Sequence, residues 1–262
     1  MQAFVFASAI SLALSGAAEA APMRAASLNL CTDELLLMLG DPRQIVSVTH
    51  LAQNAAETPL WRQARRYRKN DGSLLSVAGL KPDLVLTMGG GARDRVRIAE
   101  KLGIRTVDVP YPQGLRDIEA SISQVAAALG RPEAGRNTLR QIAALRKSAP
   151  AKSYDTVWLG GGGRSVAATG LAADWMRLAG LRQRLVQGDR VSLEQLLTAP
   201  PAILLRSDYR SGQYSGEQRW LSHPLARNVQ KSRSIPTDGR LWTCMGPLMT
   251  SEIMRLRREV AR

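Results

Sequence analysis

Ser73-Leu74-Leu75-Ser76-Val77-Ala78-Gly79-Leu80-Lys81-Pro82-Asp83-Leu84-Val85-Leu86 can be laid without a gap on Ser192-Leu193-Glu194-Gln195-Leu196-Leu197-Thr198-Ala199-Pro200-Pro201-Ala202-Ile203-Leu204-Leu205. Each copy reads as a short helix, a proline turn and a buried strand. Proline lacks the N–H that a ladder needs, so it marks the point where a strand has not yet begun. The apolar run that follows is short and unbroken. Such a run suits a strand covered on both faces, which is the pattern of a parallel sheet flanked by helices. Two copies of the same unit predict a chain made of two similar α/β lobes.

The surrounding sequence continues the alternation. Residues 25–30 and 45–48 read as short strands, separated by a helix over 34–39 that Thr32 or Asp33 caps and Gly40 ends. Residues 84–88 form a third strand, left through Gly89-Gly90-Gly91. A basic helix over 93–102 follows, and then a strand over 106–109. From 117 to 147 the pattern is wholly helical, broken only at Gly130-Arg131-Pro132, where proline suits the first turn of a new helix. The α/β alternation then restarts with a strand over 156–159, a glycine run, a helix over 172–178 and a strand over 202–205. The expected fold is α/β, with short-stranded parallel sheets in two lobes joined by one long helix. Its parts are an N-terminal lobe over 21–131, a connecting helix over 132–148 and a C-terminal lobe over 149–262.

Residues 1–20 stand apart. An apolar run over 3–14, a break at Ser15-Gly16 and the small-x-small triplet Ala18-Glu19-Ala20 read as an export signal, although residues 1–4 carry no Lys or Arg. The run is too short to span a bilayer. A soluble periplasmic protein is expected.

Composition removes several classes. The chain has 262 residues, a net charge of +14, two His and two Cys, too few ligands for a finger- or ribbon-type zinc protein. No G-x-S-x-G occurs, and His223, in Leu221-Ser222-His223-Pro224, reads as a turn residue, so a Ser-His-Asp site has little to build on. Neither Gly160-Gly161-Gly162-Gly163 nor the earlier glycine run is followed by the Lys-Ser or Lys-Thr of a phosphate loop. Arg62, Arg65, Arg66, Arg68 and Lys69, interleaved with Trp61 and Tyr67, read as a solvated basic face. No nucleic-acid motif accompanies them. No enzyme activity, metal or cofactor is assigned.

Open parallel sheets bind ligands beyond the C-terminal ends of their strands. The candidate ligand-binding residues are therefore Asn29, His50, Met88, Gly89, Arg93 and Tyr111 from the first lobe. The second lobe supplies Gly161, Arg164, Tyr209, Arg210 and Trp242. Aromatic faces and arginines suit a large planar or anionic ligand. Cys31 and Cys244 also fall at strand ends. In an oxidising compartment they can form a disulfide; two free thiols near the ligand and thiolate ligation of a metal centre are the other readings.

Four segments together resemble the helical-backbone (class III) substrate-binding proteins of ABC importers for iron-siderophores, haem and cobalamin. They are Ser27-Leu28-Asn29-Leu30-Cys31-Thr32-Asp33-Glu34-Leu35-Leu36, Leu80-Lys81-Pro82-Asp83-Leu84-Val85-Leu86, Leu129-Gly130-Arg131-Pro132-Glu133 and Gly239-Arg240-Leu241-Trp242-Thr243-Cys244-Met245-Gly246-Pro247. The resemblance covers residues 24–262. It implies a monomeric receptor that closes little, captures an iron complex or cobalamin between its lobes, and docks on an inner-membrane permease. It also implies an acidic docking residue on each lobe. Glu194 fits that pattern in the second lobe. Leu75 stands at the matching place in the first, where Asp71 could substitute. The rival readings are a periplasmic hydrolase using the same cleft and a metal-ion receptor. Both ask for more imidazole and carboxylate ligands than the strand ends offer.

Overall fold

The structure, a computed structural model, describes residues 23–89, 93–209, 216–227, 229 and 231–262. The expected export signal, Gly90, Gly91 and Arg210 lie outside the described residues, as does the side chain of Arg93.

The first lobe runs β1 (Ala25–Ser27), α1 (Leu30–Leu39), β2 (Ile45–Thr49), α2 (Trp61–Ala64), β3 (Arg68–Asn70), α3 (Leu75–Ala78), β4 (Leu84–Met88), α4 (Arg93–Lys101), β5 (Arg105–Val109) and α5 (Leu115–Ala128). Its five strands are all parallel in the order β3-β2-β1-β4-β5. Helix α6 (Pro132–Lys147) then leads to the second lobe. That lobe runs β6 (Tyr154–Leu159), a 3-10 turn (Gly161–Gly163), α7 (Leu171–Leu178), β7 (Leu181–Gln183), α8 (Leu193–Thr198), β8 (Ile203–Ser207), α9 (Gly216–Ser222), α10 (Pro224–Arg227), β9 (Arg233–Thr237), α11 (Leu241–Cys244) and α12 (Met249–Ala261). Its four strands are parallel in the order β7-β6-β8-β9.

The repeat seen in sequence is a repeat in space. β4 and β8 begin and end in register with the alignment, and each is an inner strand of its sheet. Val77 and Val85 sit in a small apolar cluster on the outer face of the first sheet, and their counterparts Leu196 and Leu204 sit in the matching cluster of the second. The first lobe adds one edge strand, β3, which has no counterpart.

Three strands, β3, β7 and β9, are absent from the sequence reading. All are sheet edges, three to five residues long, and carry Arg68 and Lys69, Arg182, or Arg233 and Pro236. Charge and proline on an edge discourage pairing with another chain and also erase the apolar signal of a strand. Part of the basic face around residues 62–69 is thus an edge strand. Helix α1 starts four residues earlier than expected, which shortens β1 to three residues. Its cap is Asn29, whose backbone is extended and whose side-chain Oδ1 accepts the Cys31 N–H at 2.8 Å. Thr32 and Asp33 do not cap; both are buried and turned inward, Asp33 toward Thr49 of β2.

One apolar core runs through both lobes, from Leu36 and Leu86 through Ile122 of α5 and Ile142 of α6 to Trp175, Leu205 and Ile253. Helices α5 and α6 approach closely because position 135 is glycine: a Cβ there would lie 2.6 Å from that of Ala126. Asp83 ties the start of the first sheet together, its Oδ2 accepting the Arg24 N–H at 2.8 Å. Among the described residues no helix is long and apolar enough to cross a membrane.

Candidate ligand-binding cleft

The chain turns one way from β1 and the other way from β4 in the first sheet, and likewise from β6 and β8 in the second, so a crevice opens between their C-terminal ends. In the first lobe that point lies between β1 and β4, at Asn29, Met88 and Gly89. In the second it lies between β6 and β8, at Gly161 and Tyr209.

Gly89 has φ +102°, a backbone geometry that side-chain-bearing residues rarely adopt, and a Cβ there would lie 2.3 Å from Cε2 of Tyr111. The Tyr111 ring therefore rests directly on the glycine backbone at the ends of β4 and β5, and Tyr111 is 61% exposed. His50 is exposed at the end of β2, its backbone N–H donating to the Asn70 carbonyl at 2.8 Å. Asn29 spends its side-chain oxygen on the helix cap. Met88 is half-buried and packs with Cys31, Pro112, Cys244 and Pro247 around a small gap at the junction of the lobes.

On the second lobe, Arg164 is exposed and faces Asp189 at 3.7 Å. Gly161 opens the 3-10 turn whose next two residues, Gly162 and Gly163, both have positive φ. Trp242, a candidate ligand-binding residue, faces inward. It is only 6% exposed, its Nε1 donates to Thr237 Oγ1 at 2.8 Å, and its ring packs 5.8 Å from that of Trp158. A strand-end position predicts a loop side chain, but α11 turns Trp242 back into the core.

Beside the shared apolar core, polar contacts and a disulfide join the lobes. Tyr209 Oη donates to Glu57 Oε2 at 2.7 Å, and Arg240 Nη1 donates to the Ala55 carbonyl at 3.0 Å. The Leu115 N–H, at the first turn of α5, donates to Asp174 Oδ2 of α7 at 3.2 Å. Cys31 and Cys244 are joined as a disulfide, with Cα atoms 5.2 Å apart. The sequence reading passed over Glu57, Ala55, Arg240 and Asp174. Glu57 and Ala55 lie deep in the long loop after β2, beyond the strand end itself. Arg240 falls within a quoted segment, but nothing local marks it as a contact.

Two buried carboxyls sit behind this seam on α1. Burial raises Asp33 to about 7, against the lowering effect of hydrogen bonds from Thr49 and Ser27. Burial likewise raises Glu34 to about 7, with the Asp33 and Asp238 charges adding to it; Thr58 Oγ1 donates to Glu34 Oε1 at 2.7 Å. Among the described residues no three His, Cys, Asp or Glu side chains converge as a metal-binding set.

The expected docking residues lie at or just before the starts of α3 and α8. Glu194 is exposed in the first turn of α8, whose N-cap is Ser192. Leu75, its counterpart on α3, is 85% exposed. Asp71 is exposed nearby and is lowered to about 2 by hydrogen bonds from Ser73.

The chain resembles several solved structures over nearly its whole length. The periplasmic haem-binding protein RhuT from Roseiflexus sp. RS-1 is 22% identical, with a TM-score of 0.68 over 90% of this chain and 97% of that one. A periplasmic haem-binding protein from Pseudomonas aeruginosa is 19% identical, with a TM-score of 0.61 over 91% and 92%. The periplasmic vitamin B12-binding protein BtuF of Vibrio cholerae is 16% identical, with a TM-score of 0.62 over 91% and 96%. At these identities the likeness is one of fold. No curated protein matches the sequence. The family model described as periplasmic binding protein matches residues 26–231, and the chain belongs to that family.

Proposed function

We propose that this protein is the solute-binding component of an ABC importer, a monomeric periplasmic receptor without catalytic activity. It captures an iron complex, a siderophore or haem, or cobalamin between its lobes and delivers it to an inner-membrane permease. The observation that carries the reading is the exposed Tyr111 ring, resting against the Gly89 backbone at the C-terminal ends of β4 and β5. An aromatic face on a rigid support offers a large planar ligand contact area with little ordering cost. Relatives of the same fold that bind haem and vitamin B12 support this ligand class. His50 is exposed at the end of β2 and Arg164 after the 3-10 turn that follows β6, and Arg93 and Arg210 complete the candidate set. Glu194 is the docking contact on the second lobe. On the first, Leu75 stands in its place and Asp71 is the nearby carboxylate.

Titration of the purified protein with haem, ferric siderophores and cobalamin, followed by tryptophan fluorescence and calorimetry, tests the reading. Saturable one-to-one binding of one class is expected. No binding by any of the three overturns the ligand assignment.

A further inference from the structure

We propose that the Cys31–Cys244 bridge is an interlobe lock, so that the spacing of the two lobes is conditional on oxidation of this one pair. The inference rests on the two-lobe receptor reading but on no particular ligand.

Cys31 is the second residue of α1 and follows the end of β1, the central strand of the first sheet. Cys244 ends α11, which follows β9 of the second sheet. The bond therefore joins the cleft-facing ends of both sheets and spans 213 residues of chain. Without it, the covalent path between the lobes runs through α6 alone. A disulfide holds its Cα atoms within about 7 Å, so a hinge motion that parts the lobes at this point is forbidden while the bond exists.

The corner beyond Cys244 is fixed to the second lobe as firmly as the sulfur is to the first. Met245 has φ +47°, in the left-handed region that a residue with a side chain occupies only when its surroundings hold it there. Its carbonyl accepts from Nε1 of Trp175, a fully buried residue, at 2.8 Å. Strain from the first lobe thus passes through Cys244 to a rigid point of the second. Beside the shared apolar core, the seam carries single hydrogen bonds, among them Tyr209 to Glu57, Arg240 to the Ala55 carbonyl and Leu115 to Asp174. These break and reform on timescales of local opening. Reduction by a small dithiol delivers two electrons and two protons to the bond. It leaves two thiols on the protein and a disulfide on the reductant, and leaves α6 as the one covalent link between the lobes.

The test is amide hydrogen exchange on the ligand-free protein, oxidised and then reduced and alkylated, with the Cys31→Ser/Cys244→Ser double variant as a second route. Protection at residues 55–58 and 240–245 is expected to fall about ten-fold or more in both open forms. Protection in β4 and β8 is expected to stay within about two-fold. Unchanged protection at the seam overturns the lock. Equal loss across both sheets also overturns it, because the bridge would then support the whole fold. Two reactive thiols in the native exported protein overturn it as well. Because no ligand is present, each result is independent of whether the ligand assignment holds.

Discussion

The Tyr209 hydroxyl donates to Glu57 Oε2 at 2.7 Å, linking the end of β8 in one lobe to the loop after β2 in the other. Glu57 is 5% exposed, so the bond is made to a carboxylate largely out of water. Hydrogen bonds to charged groups contribute about 1.5–3 kcal/mol. Tyr209→Phe, which keeps the ring and removes the donor, is expected to lower stability by about 1–2 kcal/mol. An unchanged denaturant midpoint would show that the bond contributes nothing in solution.

Gly89 and Tyr111 form a second testable pair. Gly89→Ala adds a methyl into space that the Tyr111 ring occupies, at a positive φ that alanine resists. A loss of about 1–3 kcal/mol is expected, together with weaker ligand binding. Tyr111→Ala, at an exposed position, is expected to leave stability within about 0.5 kcal/mol and to weaken ligand binding about ten-fold or more. If both variants bind as the parent does, the ring is not a ligand platform.

Stability should depend on pH through Asp33 and Glu34. Both carboxyls are raised by burial to about 7, from ordinary values of 3.8 and 4.5. Between those values and about 7 the folded protein holds protons that the unfolded chain has released. Their contribution is complete below the unfolded values and is lost as pH rises through about 7, at roughly 1.4 kcal/mol per pH unit for each proton. The denaturant midpoint is therefore expected to be higher at about pH 5.5 than at about pH 8, and Asp33→Asn should flatten that slope. A midpoint that rises over the same range would mean the native carboxyls are already ionised.

Docking should be lopsided. Glu194 is exposed on α8, while Leu75 occupies the equivalent place on α3. Glu194→Ala is expected to reduce ligand uptake in cells at low ligand concentration while leaving ligand affinity in solution unchanged. Asp71→Asn should have a smaller effect of the same kind. Uptake that survives both substitutions would remove these carboxylates from the permease contact.

The α/β class, the duplication and the connecting helix are all legible in the chain. They rest on local physics. Apolar runs such as residues 84–88 and 202–205 cannot be soluble unless buried on both faces, and proline and glycine mark the ends of the elements. The register of the repeat, residues 73–86 on 192–205, carries through to the strand ends and to the matched pairs Val77 with Leu196 and Val85 with Leu204. Likewise Asn29, Gly89, Tyr111 and Tyr209 fall at strand ends as the alternation predicts. What the sequence could not fix was where those side chains go once there. Trp242 turns into the core, the Asn29 side chain is consumed by a helix cap, and Tyr209 is met by Glu57 from a loop 152 residues away. Edge strands β3, β7 and β9 were hidden because their pairing is satisfied by a neighbour far along the chain and needs no apolar run of its own. Periodicity and turn chemistry act over a few residues, and so they determine elements and their order. Contacts between lobes depend on the placement of whole sheets about α6, and only the tertiary structure decides them.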